Sequence, residues 1–259
     1  MTALSGPSIR NCTAPQRQRP CAGVVTAAAA GGTADSPTSF DMHFPHRDWI
    51  AESSGGAAEP LAPGAWLLRE FALARDTPLL AAIEDIGNRA PFRRLMTPGG
   101  RPMSVSMTNC GDLGWVSDRG GYRYEPCDPS SGEPWPPMPA TFRDLAACAA
   151  VAGGFPGFAP DACLINRYIP GAGMSLHQDK DERDFDRPIV SVSLGLPAVF
   201  LLGGHARSDR PLRVPLSHGD VVVWGGPARL RYHGVLPVKP GRHELVGERR
   251  LNLTFRRAA

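Results

Sequence analysis

In the segment Ser175-Leu176-His177-Gln178-Asp179 a histidine and an aspartate stand two residues apart. On an extended segment both side chains leave the same face, so an imidazole and a carboxylate can grip one ion while Leu176 and Gln178 point away. A third ligand on a distant strand completes a facial triad, and His233, in Arg231-Tyr232-His233-Gly234-Val235, is the best placed of the remaining histidines. Two imidazoles and one carboxylate on one face leave coordination positions open, the arrangement by which non-haem iron(II) takes a bidentate co-substrate and dioxygen. The H-x-D spacing also arises by chance, and a lone strand histidine is more often a core or surface residue. A closed zinc hydrolase site could use the same three side chains. His43 and His46 fall in a doubtful N-terminal region, His205 and His243 in turn-like segments, and His218 before Gly219-Asp220 reads as a turn residue.

Support comes from Arg250-Leu251-Asn252-Leu253-Thr254-Phe255-Arg256, where Arg250, Asn252, Thr254 and Arg256 share one face of a strand and Leu251, Leu253 and Phe255 the other. An ordinary half-buried strand also alternates. An arginine at each end of the polar face, however, suits a dicarboxylate, because each guanidinium binds a carboxylate through paired hydrogen bonds, and it argues against the zinc hydrolase. The two Cα atoms lie roughly 20 Å apart at about 3.3 Å per residue, so both side chains must lean inward to share one small ligand. In Leu164-Ile165-Asn166-Arg167-Tyr168, Asn166 and Tyr168 share a side and could add neutral hydrogen bonds to the same ligand; a satisfied buried pair is the alternative.

These residues need a scaffold. Between Leu61 and Pro91 the pattern predicts a helix, with Thr77 as cap, Pro78 in the first turn, and Leu79, Leu80, Ile83 and Ile86 at helical spacing. A second helix is expected from Thr141, with Asp144 as capping-box partner, to Gly153-Gly154. Pro98 to Pro139, rich in Gly, Pro, Trp and Tyr, reads as a long loop or hairpin lid. Beyond Asp161 short strands follow one another: Cys163 to Ile169, Ile189 to Leu196, Val199 to Leu202, Leu212 to Leu216, Asp220 to Trp224, Arg229 to Val235 and Arg250 to Arg256. No helix separates them, which favours an antiparallel sandwich or jelly roll over βαβ units. The expected fold is α+β, two helices supporting a β-roll.

With 259 residues and 42% apolar composition, the chain can bury one substantial core, and no apolar run approaches membrane-spanning length. The net charge of +3 neither demands nor excludes a nucleic-acid partner. The six cysteines form no C-x-x-C pair and no dense framework, which fits free thiols in a reducing cytoplasm. Met1 to Ala34 carries arginines, no acidic residue and an alanine-glycine run; its composition favours disorder, and initiation at Met42 is the alternative. The expected organisation is an extension over 1–60, helices and lid over 61–160, and a catalytic β core over 161–259.

Several motifs in fixed order resemble the AlkB family of alkylation-repair dioxygenases: M-T-N-C-G-D-L-G-W at Met107 to Trp115, G-Y-R-Y at Gly121 to Tyr124, N-R-Y at Asn166 to Tyr168, S-L-H-Q-D-K-D-E at Ser175 to Glu182, H-G-D-V-V-V-W-G-G at His218 to Gly226, Y-H-G at Tyr232 to Gly234 and R-L-N-L-T-F-R at Arg250 to Arg256. The resemblance implies a double-stranded β-helix of jelly-roll type with a nucleotide-recognition lid. It also implies iron(II) as cofactor, 2-oxoglutarate and O2 as co-substrates, and demethylation of bases such as 1-methyladenine and 3-methylcytosine, releasing formaldehyde, succinate and CO2. By that resemblance His177, Asp179 and His233 hold the metal, and Asn166, Tyr168, Arg250, Asn252 and Arg256 hold 2-oxoglutarate. Trp115, Tyr122, Arg123, Tyr124, Asp181 and Arg213 handle the nucleotide. Departures are the segment around Arg213 and Asp112, where the family pattern has a histidine. The expected partner is alkylated single-stranded DNA, with double-stranded DNA or RNA as further candidates, met by a cytoplasmic monomer without membrane contact. An oxygenase acting on RNA or protein and a non-catalytic nucleic-acid-binding jelly roll are the alternative readings.

Overall fold

The computed structural model describes residues 58–259; the expected extension over 1–60, apart from its last residues, lies outside them, as does the alternative start at Met42. Among the described residues no helix is long and apolar enough to cross a membrane.

The core is an eight-stranded antiparallel sheet and a four-stranded one. The major sheet contains β1 (Glu59–Ala62), β2 (Ala65–Leu68), β3 (Arg93–Met96), β4 (Pro102–Gly111), β7 (Ala162–Tyr168), β9 (Ile189–Gly195), β12 (Val221–Trp224) and β14 (Arg250–Arg256), in the order β1-β2-β12-β9-β14-β7-β4-β3. The minor sheet orders β11 (Leu212–Leu216), β10 (Ala198–Leu202), β13 (His233–Val235) and β8 (Met174–His177). A separate hairpin joins β5 (Gly114–Asp118) to β6 (Gly121–Glu125).

Alternation along the strands divides the interior. Leu251, Leu253 and Phe255 of β14 turn outward with Ile165, Val190 and Val192 to meet two helices, α1 (Asp76–Arg89) and α2 (Ala140–Ala152). Leu79, Ile83 and Ile86 recur on one face of α1 and are buried, as are Phe142, Leu145 and Ala149 of α2. The opposite face of the major sheet packs on the minor one through Trp224, Val222, Phe200, Leu202 and Val214. Part of that inner face is polar, and there the site forms.

Several sequence expectations need correction. Helix α1 starts at Asp76, inside the expected span, and Thr77 does not cap it: its hydroxyl donates to the Asp76 carboxylate at 2.9 Å, and no side chain caps the helix. The Thr141–Asp144 capping box is not made either. Helix α2 opens after Pro139, whose carbonyl accepts from the amides of Phe142 and Arg143. The expected lid over Pro98 to Pro139 holds a hairpin, but also β4, a ten-residue strand paired with β7 in the major sheet. Its Met103, Val105 and Met107 alternate with Ser104, Ser106 and Thr108, a strand pattern masked by the surrounding glycines and aromatics. The strand expected from Arg229 begins only at His233, since a 3-10 turn over Gly226–Ala228 and a following turn precede it.

Phe142 of α2 and Phe255 of β14 meet edge to face, with ring centroids 5.8 Å apart and both side chains fully buried. Phe142→Ala should therefore destabilise the protein by about 3–5 kcal/mol through lost burial and a residual cavity, measured by urea or thermal unfolding. A loss under about 1 kcal/mol would show that α2 is not integral to the core.

Candidate metal and co-substrate centre

His177 ends β8 and His233 starts β13, and the two face each other across that ladder with ring centroids 4.4 Å apart. Asp179, two residues beyond His177, lies 3.6 Å from its Nε2 and 3.7 Å from Nε2 of His233. Donors bound to one ion at about 2.0–2.2 Å each can be no more than about 4.4 Å apart, so both separations suit a shared metal. The other ring nitrogens are held by backbone: Nδ1 of His177 is 2.8 Å from the Ser175 carbonyl and Nδ1 of His233 is 3.1 Å from the Arg231 carbonyl. A proton on each Nδ1 donates to that carbonyl and leaves the Nε2 lone pair facing the centre. Burial and the adjacent His177 ring lower the His233 pKa to about 4, so this imidazole is neutral, as a ligand must be. Burial opposes the Asp179 carboxylate, but Arg256 and the two imidazoles outweigh it and hold its pKa well below the usual range.

The loop after β8 has no ladder of its own and is fixed by buried charge. Arg256 donates from Nε to Asp179 Oδ2 at 2.8 Å and lies 3.3 Å from Glu182. Glu182 in turn accepts from Arg229 at 3.0 Å and from the Tyr124 hydroxyl at 2.7 Å. Arg229 also donates to the backbone carbonyls of Asp179 at 2.7 Å and Arg187 at 3.1 Å. Two carboxylates and two guanidiniums so compensate one another, which a buried charge requires. Gln178 donates to the Leu230 carbonyl at 2.6 Å, tying the same loop to the turn before β13.

At the other end of β14 the chemistry differs. Arg250 is fully buried, with its guanidinium carbon 4.9 Å from the Tyr168 ring centroid, and Nη2 donates to Ser193 Oγ at 2.9 Å. Its Nε and Nη1 have no partner, nor has Oδ1 of Asn166. Burial lowers the Arg250 pKa. A buried guanidinium with two unused donors is costly unless an anion arrives, and a carboxylate matches that fork. Asn252 is not free in the same way: it donates to Ser191 and Val192 and accepts from Asn166 at 3.1 Å. The two arginines therefore differ: Arg256 sits against the Asp179 carboxylate, whereas Arg250 keeps two buried donors free.

Triad and polar strand share one cavity of about 540 Å³ that also holds Asn166, Tyr168, Asn252 and Thr254. Trp115, Tyr122 and Asp181 line its mouth. Trp115 stacks on Tyr122 with ring centroids 5.4 Å apart, and its indole N–H donates to Asp181 Oδ2 at 2.8 Å. Asn109 of β4 orients the hairpin by exchanging two 3.0 Å hydrogen bonds with the backbone of Trp115.

The remaining expected nucleotide residues do not line this cavity. Arg123 is engaged by Asp118 at 2.9 Å and Glu125 at 2.7 Å, and Tyr124 is turned to Glu182. Arg213 points outward opposite Leu201, because Val214 and Leu216 occupy the core face of β11. Arg207, in the preceding loop, lines the cavity instead, together with Lys180 and Tyr232. Sequence reasoning passed over these residues, and over Glu182 and Arg229, although Glu182 stands within the S-L-H-Q-D-K-D-E motif.

Glu182→Gln removes the charge shared by Arg229 and Arg256 without changing volume. Metal affinity should fall by about 10- to 100-fold, as for outer-sphere partners generally, read by Fe(II) or Co(II) titration, while unfolding stays cooperative. Unchanged affinity would show that Asp179 is positioned without Glu182.

Residues 64–256 match the 2OG-Fe(II) oxygenase superfamily. The chain is 58% identical to the alpha-ketoglutarate-dependent dioxygenase AlkB of Escherichia coli (strain K12), an alignment covering 77% of this chain and 93% of that protein. It is 48% identical to the AlkB homolog of Caulobacter vibrioides (strain NA1000 / CB15N), over 70% of this chain and 80% of the relative. The solved structure of OsALKBH1 superposes with a TM-score of 0.69 at 29% identity, covering 77% of this chain and 99% of that one. The match over residues 64–256 and these identities establish, with a His177–Asp179–His233 cluster that fits the metal site, that the chain belongs to the 2OG-Fe(II) oxygenase superfamily, as a relative of the AlkB dioxygenases.

Proposed function

We propose that this protein removes methyl groups from N-alkylated nucleobases, such as 1-methyladenine and 3-methylcytosine, in single-stranded or flipped-out DNA. The observation that carries this reading is the single cavity joining the His177–Asp179–His233 face to a wall formed by Trp115, Tyr122 and Asp181. In it, His177, Asp179 and His233 would hold iron(II), Arg250 would take the far carboxylate of 2-oxoglutarate, and Arg256 stands beside Asp179. Asn166, Tyr168 and Asn252 complete the polar wall. Bound there, iron(II) with 2-oxoglutarate and O2 would supply oxidation of the N-methyl carbon, released as formaldehyde with succinate and CO2 as co-products.

The protein's own part is to bind, orient and exclude water. Methylation of the pairing edge makes these bases cationic and weakens pairing, so the lesion leaves the helix more cheaply than an intact base. A cationic ring near the Trp115–Tyr122 stack gains cation–π attraction of about 0.5–2 kcal/mol. Asp181 uses Oδ2 for Trp115 and keeps Oδ1 for the positive base. Trp115 thereby also orients the carboxylate that selects charge. Arg207 and Lys180 on the rim suit the flanking phosphates.

Mixing anaerobically purified protein with Fe(II), 2-oxoglutarate, O2 and methylated single-stranded DNA should yield succinate and formaldehyde, and His177→Ala should yield neither. No formaldehyde from either protein would sink the base-repair reading, whereas succinate without demethylation would retain the chemistry and change the substrate. Arg250→Ala should raise KM for 2-oxoglutarate by about 10- to 100-fold, the loss of one charged hydrogen-bonding partner. An unchanged KM would place the far carboxylate elsewhere. Trp115→Ala should raise KM for 1-methyladenine more than for an uncharged alkylated base, and equal effects would remove cation–π attraction from recognition.

A further inference from the structure

On the face of β7 opposite Asn166 and Tyr168 lies a second cavity, of about 640 Å³, that the proposed reaction does not use. Arg94 of β3, Arg167 of β7 and Arg249 just before β14 line it, with Ser104 and Ser106 of β4 and the Phe92 ring. Arg167 stacks over Phe92, its guanidinium carbon 4.4 Å from the ring centroid, and donates from Nε to Ser106 Oγ at 3.2 Å. Glu248 is the one carboxylate in the lining, and it pairs with none of the three arginines. Among the described residues these guanidiniums have no ion-pair partner, unlike Arg69, Arg93, Arg123, Arg229 and Arg256. Burial and the adjacent Arg249 charge together pull the Arg167 pKa down. Positive charge has been gathered in a concavity and left uncompensated.

Position says what it suits. Ser104 lines both this cavity and the catalytic one, as β4 sends Met103, Val105 and Met107 to the catalytic side and Ser104 and Ser106 to the other. The edge strand β3 offers the same link: Thr97, just past its end, lines the catalytic cavity and Arg94 lines the second. Three residues of extended chain at about 3.3 Å each put these two lining residues on the order of 10 Å apart along β3.

We propose that the cavity of Arg94, Arg167 and Arg249 is a second nucleic-acid site, which grips a backbone phosphate beyond the nucleotides that flank the base being repaired. Guanidinium forks bind phosphate oxygens without reading sequence, while the Ser104 and Ser106 hydroxyls already donate to the carbonyls of Gly173 and Arg167. The site therefore adds affinity and register for longer strands and leaves lesion choice to the catalytic cavity. This inference rests on the nucleic-acid reading above.

The test compares wild type, Arg94→Gln/Arg249→Gln and a control with equal charge loss elsewhere on the surface, Arg89→Gln/Arg242→Gln. Each is assayed on a methylated trinucleotide and on a methylated single strand of about 15 nucleotides over a salt series. For the cavity variant, KM on the long strand should rise by on the order of fivefold to tenfold, and the slope of log KM against log salt should fall by about 1 per arginine removed. KM on the trinucleotide, kcat and KM for 2-oxoglutarate should match wild type, and the control should show no length-dependent change. Equal KM and salt slope for the cavity variant and wild type on the long strand would overturn the second site. An equal loss on both lengths would also overturn it, by showing an effect on the catalytic cavity. Failure of wild type to act on any methylated strand would instead overturn the nucleic-acid reading itself.

Discussion

Asp179 is buried, and its charge must be met from several directions at once. Arg256 supplies a direct guanidinium contact, Glu182 balances Arg256, and Arg229 and Tyr124 balance Glu182. No member can be deleted without leaving another charge unpaired in a medium that solvates it poorly. Because these residues come from β6, the loop after β8, the turn before β13 and the end of β14, the charge network ties the hairpin, both sheets and the metal-ligating loop together. Ladder hydrogen bonds hold His177 and His233 opposite one another. Asp179, beyond the ladder, is held in line with them by the network and by the Gln178–Leu230 hydrogen bond.

The two ends of β14 show how one strand divides its labour. At Arg256 the guanidinium is saturated by protein carboxylates and acts as structure. At Arg250 the same group is surrounded by an aromatic ring and hydroxyls that cannot neutralise it, so two donors stay unused. One end of the strand thus carries an arginine held by Asp179 and the other a buried arginine with two free donors, a spacing that suits a dicarboxylate. The apolar face of β14, meanwhile, is buried under both helices, which keeps the register of the polar face rigid.

Much of this was legible in order of sequence. The H-x-D pair, the R-x-N-x-T-x-R alternation and the ladder of short strands after Asp161 rest on the period of an extended chain, which requires no knowledge of neighbours. The strands at Leu212–Leu216 and Arg250–Arg256 have the expected bounds. Neither helix uses the expected side-chain cap: Arg75 and Pro139 stand at the cap positions with no side-chain hydrogen bond, and packing against the sheet decides where the turn begins. Strand β4 was hidden by composition: glycine, proline and tryptophan around it suggested a lid, yet its own alternation fits a strand in the sheet. Arg213 was expected at the nucleotide, but Val214 and Leu216 claim the inward face of β11 and turn it out.

By itself the sequence determined the candidate ligand types, the shared polar face of Arg250–Arg256 and the antiparallel character of the β region, since these follow from residue chemistry and a two-residue repeat. Tertiary structure alone decided which arginine is spent on Asp179 and which stays open, which hairpin residues face the cavity, and that three arginines from separate segments converge behind it. Those outcomes depend on distances between segments far apart in the chain, and on which buried charges find partners, quantities that no local pattern of residues contains.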